Sequence, residues 1–257
     1  MDNLKNENVK GGGQLKPDIK QILDVRCELV NETEKSVDIY MYGRIVDQQP
    51  IDWWTGEPVP GDFIYPEDVR NLVKEAGERE INLHINSTGG SIYASIAINN
   101  FLKQCKNRIN VYIDGIAASG ASIIAMAGDE INMPSNTTMM IHRAAAGVYG
   151  NAEDFRKAAH TLDKFDETVL NSYKSRFVGT VEELKNLIKE ETYLTAEECK
   201  VFGLCDNILE EMEDKLDAEN NADIKVSLFE KYKITAEEKN TKETLFKKFN
   251  KNGGNNE

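Results

Sequence analysis

Between Ile81 and Gly128 the chain twice passes from a short β-patterned run, through a small-residue break, into an apolar stretch of helical texture. "INLHIN" (81–86) leads into "STGGSIYASIAINNFLKQC", and "INVYID" (109–114) leads into "GIAASGASIIAMAG". A strand, a small-residue turn and a helix, repeated in this order, are the units of an alternating β and α architecture. The rhythm predicts an α/β fold with strands largely buried beneath helices.

The flanking segments fit that frame. "VDIYMYGRI" alternates and carries aromatic and β-branched residues, the texture of a strand. "DQQPIDWWTGEPVPGDFIYPED" holds four prolines and both tryptophans and reads as a loop. "PEDVRNLVKEAG" has Pro66 at its start, acids in its first turn, apolar Val69, Leu72 and Val73, and Gly77 at its end, which are helix boundaries. After the short strand candidates "EINM" and "MMIH", a long amphipathic helix is predicted from Glu153 to about Phe177. Phe155, Ala159, Leu162, Phe165 or Asp166, Val169 and Tyr173 form its stripe. "VEELKNLIKE" is a further helix, Thr195 and Glu198 make a capping box, and Gly203 precedes a last strand. Three segments follow from this pass. Residues 1–36 are polar, glycine-broken and expected to form a flexible arm. Residues 37–210 form the domain, and residues 211–257 a charged, largely disordered tail with one candidate helix, "TAEEKNTKETLFKKF".

Composition removes several functions. A net charge of −13 leaves no basic surface for a nucleic acid. There is no apolar leader region, and no run reaches the roughly 18 apolar residues of a membrane span. Cys27, Cys105, Cys199 and Cys205 are scattered without a CxxC, which suits core thiols in a reducing compartment and gives no metal site. A cytoplasmic protein without cofactor is expected. His84, His142 and His160 are the only histidines, so any histidine-dependent chemistry chooses among three.

Three stretches could carry chemistry. Ser119 lies where a strand yields to a helix, near free backbone N–H groups able to hold an oxyanion. Taken alone, the segment favours the plainer reading of small residues that let a helix pack tightly. Gly89 and Gly90 in "INSTGGS" permit close approach to the main chain, although any turn before a helix looks similar. It is not a phosphate loop, because the Lys-Ser/Thr ending and the GxGxxG spacing are both missing. His142 ends an apolar run, where a histidine satisfied by a carbonyl is the ordinary case.

Taken together, "INSTGGS", "GIAASGAS", "MMIH" and "ETYLTAEECKVFGLCDNI" resemble, in order and approximate spacing, the motifs of the ClpP-type serine peptidases. The resemblance runs from about Val37 to Leu209. It is nearest to the phage- and prophage-encoded branch that performs head maturation. It implies a crotonase-like ββα spiral assembled into a homo-oligomeric ring, heptameric or doubled, with its active sites inside. By the same resemblance Ser119 matches the nucleophile, His142 the general base, and Gly90 and Gly120 the two oxyanion N–H donors. Glu191 stands where the family has an aspartate, with Glu190 a rival for that place.

Departures from the pattern shape the functional expectation. Thr88 replaces the proline of the usual Ser-Pro-Gly-Gly turn, and Gly120 replaces a methionine. The Trp-rich insertion has no recognised counterpart in housekeeping ClpP, and no axial-loop segment for an unfoldase is evident. The expected function is a serine endopeptidase that processes phage capsid or scaffold proteins without an ATPase. A ClpP subunit fed by an AAA+ unfoldase is the nearest alternative. A catalytically weak crotonase-like scaffold and an acyl-CoA hydratase or isomerase are further ones.

Overall fold

The computed structural model describes residues 27–209. The residues before Cys27 and after Leu209, including the candidate tail helix, lie outside the described part. The elements are β1 (Cys27–Val30), β2 (Ser36–Tyr42), β3 (Arg44–Ile45), β4 (Phe63–Ile64), α1 (Pro66–Ala76), β5 (Glu80–Ser87), α2 (Ile92–Gln104) and β6 (Ile109–Ala118). There follow α3 (Gly120–Ala125), β7 (Glu130–Pro134), β8 (Thr138–Ile141), α4 (Ala152–Lys174), α5 (Val181–Lys189), β9 (Thr192–Thr195), α6 (Ala196–Val201) and β10 (Asn207–Leu209).

The main sheet runs β1-β2-β5-β6-β7-β10, parallel throughout except that β1 runs antiparallel to β2. Strand β6 forks. Its first half pairs with β7 and its last three residues pair with β8, which in turn carries β9 antiparallel. The mixed α/β class expected from sequence is what the chain adopts.

One strand face builds the core. Ile81, Leu83 and Ile85 of β5 and Ile109, Val111 and Ile113 of β6 are fully buried alongside Val69 and Val73 of α1 and Ile98 and Leu102 of α2. Each such side chain contributes about 1.5–3 kcal/mol relative to exposure. The other face is not covered by helices in the way the expected burial of the strands beneath helices suggests. It carries a polar and aromatic ladder in register across β2, β5 and β6. His84 stacks between Tyr40 and Tyr112, and Asn82 bonds to Asp38. His84 also contacts Asp114, which accepts a hydrogen bond from Tyr42. That answers which way His84 faces: away from the core.

Three other expectations need correction. First, the arm assigned to residues 1–36 contains β1, whose four residues pair with Asp38–Met41. "CELV" is too short to signal a strand by periodicity and forms one because β2 offers it an edge. Second, the strand expected to end near Gly115 continues to Ala118, because β8 supplies a new partner beyond the point where the register with β5 shifts. Third, α4 has its expected length and its Asn151–Asp154 capping box, but only Val169 and Tyr173 of its stripe are buried. Phe155 is 53% exposed and Ala159 is exposed too, so the first turns of the helix leave the apolar stripe uncovered in this protomer.

Candidate active site

The site is built by two strand registers. In β6 and β8, Ala118 lies beside Met140, so the residues that follow both strands emerge at the same sheet edge. Ser119 follows Ala118, and its N–H donates to the Met140 carbonyl at 2.9 Å. His142 follows Ile141 at the end of β8. Its Nε2 is 2.6 Å from Ser119 Oγ, a hydrogen-bond distance. In β8 and β9, Ile141 pairs with Thr192. Continuing that register by one residue sets Glu191 opposite His142. Glu190, the C-cap of helix α5, lies one residue short of that position.

Glu191 Oε1 lies 4.0 Å from His142 Nδ1, within ion-pair range but longer than a hydrogen bond, and the glutamate side chain is 73% exposed. It therefore faces the second ring nitrogen from the solvent side. With Nε2 accepting from the serine hydroxyl, Nδ1 carries the proton and points toward this carboxylate. Beyond the histidine, Arg143 pairs with Asp163 and Asp166, and the Ala144 N–H donates to Asp166 Oδ1 at 2.8 Å. These contacts tie the segment after His142 to α4.

Backbone strain is concentrated here. Among the described residues three non-glycines have positive φ, and two of them are Ser119 (φ 55) and Glu191 (φ 52). Ser119 has φ 55 and ψ −122 at the junction of β6 and α3, and its side chain makes no capping bond to the helix. A residue with a Cβ held in this region costs on the order of 1–3 kcal/mol and persists only where its surroundings impose it. Ser119 stands at the N-cap position of α3, but its side chain does not cap the helix.

The Gly-Gly turn packs directly on this elbow. A Cβ on Gly89 (φ 89) would sit 2.5 Å from the Ala118 carbonyl and 2.8 Å from the Gly120 nitrogen. At Gly90 (φ 154) it would strike the Ile45 carbonyl, the acceptor of the Ser91 N–H. Neither position admits a side chain. The Gly90 nitrogen lies 3.6 Å from where a Gly120 Cβ would stand, so the two peptide units lie side by side next to the serine. The Gly120 N–H is the first of its helix and has no acceptor within it.

These residues open onto a groove of about 710 Å³. Ile123, Met140, Leu162, Phe165 and Val169 give it an apolar side, and Arg44 and Asp47 are charged groups at its margin. Tyr93 and Phe165 meet edge to face across it at 5.3 Å. The stripe in α4 signalled Leu162 and Phe165, but nothing local marked Tyr93, Arg44 or Asp47, which reach the groove only through the fold. Of the other histidines, His84 lies on the opposite sheet face and His160 on the exposed side of α4. Burial pushes the Cys205 thiol up to about 12 and raises Cys199 well above the ordinary range, so neither supplies a thiolate nucleophile at neutral pH. Among the described residues no group of histidine, cysteine and carboxylate side chains could hold a metal ion. No described helix is long and apolar enough to cross a membrane.

A serine hydroxyl held against an imidazole, beside paired backbone donors and an apolar groove, can attack a carbonyl and stabilise the resulting oxyanion. Comparison with known proteins agrees with that chemistry. The ATP-dependent Clp protease proteolytic subunit of Deinococcus radiodurans is 27% identical over 199 residues, which make up 76% of this chain and 95% of that protein. The family described as Clp protease matches residues 67–212, a span that contains the Gly-Gly turn, Ser119, His142 and Glu191. With more than half of the chain matched, and the strained elbow and its partners all inside the match, the protein belongs to the Clp protease family.

Proposed function

We propose that the protein is a serine endopeptidase in which Ser119 is the nucleophile, His142 the general base, Glu191 the acid that orients it, and Gly90 and Gly120 the oxyanion donors. The observation that carries this reading is the 2.6 Å contact between Ser119 Oγ and His142 Nε2 at a strained elbow. His142 Nε2 takes the hydroxyl proton as Oγ bonds to the scissile carbonyl carbon. The carbonyl oxygen becomes the oxyanion against the two N–H groups. On collapse the C–N bond breaks, and the same proton passes from Nε2 to the leaving amine. Water then repeats the sequence on the acyl-enzyme ester, with His142 again as base. Glu191, at 4.0 Å, favours the tautomer with the proton on Nδ1 and stabilises the imidazolium as it forms.

For the biological setting we infer stand-alone processing of phage capsid or scaffold proteins within a homo-oligomeric ring. The motif resemblance to the phage-encoded branch supports this reading. So does the insertion between β3 and β4, which stands outside the core with Trp53 87% and Trp54 80% exposed. The unpartnered first half of α4 supports assembly, since exposed apolar patches of this kind mark contacts between proteins. A second reading, a proteolytic subunit fed by an AAA+ unfoldase, is favoured by the relative whose name describes an ATP-dependent protease and which aligns over 95% of its length.

Mass spectrometry after treatment with a fluorophosphonate tests the chemistry. Labelling at Ser119 alone, lost in Ser119→Ala and His142→Ala, is the expected result. Labelling at a different serine would end the assignment. Cleavage of an unstructured capsid or scaffold chain without ATP then separates the two settings, because the second needs an unfoldase to stimulate it.

A further inference from the structure

Beneath the nucleophile lies a second hydroxyl pair. Ser122, wholly buried in α3, places its Oγ 2.6 Å from the Ser119 carbonyl, 2.9 Å from the Met140 carbonyl and 2.8 Å from the Tyr173 hydroxyl of α4. The proton directions follow from counting. Both carbonyls can only accept, and Ser122 has one proton to give. Tyr173 therefore donates to Ser122, and Ser122 donates to the carbonyls. Met140 O already accepts the Ser119 N–H, and the Ser119 carbonyl is the shorter contact. The chain of donation runs Tyr173 to Ser122 to the Ser119 carbonyl.

That carbonyl belongs to the same rigid peptide plane as the Gly120 N–H, and the two point in opposite directions. Whatever fixes the carbonyl fixes the aim of the N–H. The Ser119 carbonyl also accepts the Ser122 and Ile123 N–H groups at 3.1 and 3.3 Å, but both contacts are longer than the hydroxyl's. Residues 119–120 stand at a junction whose φ and ψ are unfavourable for serine, where a peptide rotation would relieve strain. Holding the plane there requires a strong contact on its far side.

We propose that Ser122 and Tyr173 are positioning residues that lock the 119–120 peptide so that the Gly120 N–H faces the groove as an oxyanion donor. Ser122 is wholly buried and Tyr173, at the wall of the groove, is only 1% exposed, so both act through the backbone, and their effect is on the transition state rather than on peptide binding. The bridge also links α4 to the elbow, so the helix that lines the groove and the donor that stabilises the reaction move as one unit. The proposal rests on the serine-peptidase reading above.

The test uses the full chain, a fluorogenic peptide with a large apolar residue before the cleaved bond, and a fluorophosphonate to count reactive Ser119. Loss of a whole oxyanion donor costs about 100- to 1000-fold in kcat, so a donor that is present but poorly held is expected to lose about tenfold in Ser122→Ala. Tyr173→Phe, which removes one oxygen and keeps the ring, should lose less, about threefold, with KM within about twofold in both. Because the two hydroxyls act in series, the double variant should be no slower than Ser122→Ala. All variants should still reach full labelling, only more slowly.

Unchanged kcat in Ser122→Ala would overturn the proposal. So would a loss explained wholly by fewer titratable sites, or losses that multiply in the double variant, since those mark a merely structural role. If Ser122→Ala does not fold, Tyr173→Phe alone decides: a lower kcat at unchanged KM and full titration supports the lock, and an unchanged kcat refutes it. No labelling of Ser119 in the unaltered protein would instead overturn the peptidase reading itself.

Discussion

Replacing Ser119 by glycine should stabilise the protein relative to replacing it by alanine, the reverse of their order inside a helix. Both variants lose the hydroxyl and its contact with His142, so that loss cancels in the comparison. What remains is the backbone. At φ 55 and ψ −122 alanine keeps the strain of a Cβ, on the order of 1–3 kcal/mol, whereas glycine has none. Glycine gives back about 0.4–1 kcal/mol through the greater freedom of its unfolded chain. The net expectation is about 1 kcal/mol in favour of glycine. Lost capping does not enter, because the Ser119 side chain makes no capping bond. Urea unfolding of the two variants at one protomer concentration measures the difference, and concentration is fixed because assembly itself shifts stability. For a chain of this size the thermal midpoints should differ by about 2–4 °C. Both proteins should be inactive. An alanine variant as stable as the glycine variant, or more so, would refute the claim that strain is stored at Ser119.

If Glu191 orients His142 across their 4.0 Å separation, Glu191→Gln should lower kcat by about 10-fold or more with assembly unchanged, and Glu190→Gln should do little; the reverse pattern in peptide kinetics would move the role to Glu190. Phe155→Glu, on the exposed first half of α4, should shift sedimentation from oligomer toward protomer, and a monomeric unaltered protein at micromolar concentration would contradict the assembly reading. Iodoacetamide at pH 8 should leave peptide cleavage intact. Burial holds Cys205 near 12 and Cys199 well above the ordinary range, so both stay protonated until the pH approaches those raised values. Loss of activity on alkylation would point to a thiol in the chemistry.

What could be read from the chain was what neighbouring residues decide. Pro66 and Gly77 bound α1, and Thr195 with Glu198 caps α6, because these signals act within one helical turn. Alternation in "INLHIN" put Ile81, Leu83 and Ile85 on one face without reference to any partner. What could not be read was settled by contacts distant in sequence. β6 extends to Ala118 because β8 arrives beside it, and Ser122 meets Tyr173 from 51 residues away. The stripe of α4 was visible, but periodicity gives the direction of an apolar face and not whether the same protomer covers it. The rivalry of Glu190 and Glu191 had the same origin. Adjacent identical residues at a helix end look alike in sequence, and only the β8–β9 register sets Glu191 rather than Glu190 opposite His142.

That register also explains why Glu191 sits in an unfavourable conformation. Helix α5 ends at Lys189 with Glu190 as its C-cap, and β9 begins at Thr192, already paired with Ile141. Only Glu191 lies between that cap and the strand, and a reversal just past a helix C-cap calls for the left-handed region, where glycine or asparagine is the ordinary occupant. Glutamate stands there at φ 52. Glycine at this position would ease the turn but leave Nδ1 of His142 facing open solvent. Asparagine would ease it too, without a negative charge. The conformation that strains Glu191 is the one that brings its carboxylate opposite the histidine. Ser119 is in the same situation on the other side of the imidazole, at the single residue between β6 and α3. Both residues flanking His142 thus occupy short junctions whose backbone is set by strands paired elsewhere. The sheet, through β6, β8 and β9, supplies the stability that holds two strained side chains against one ring.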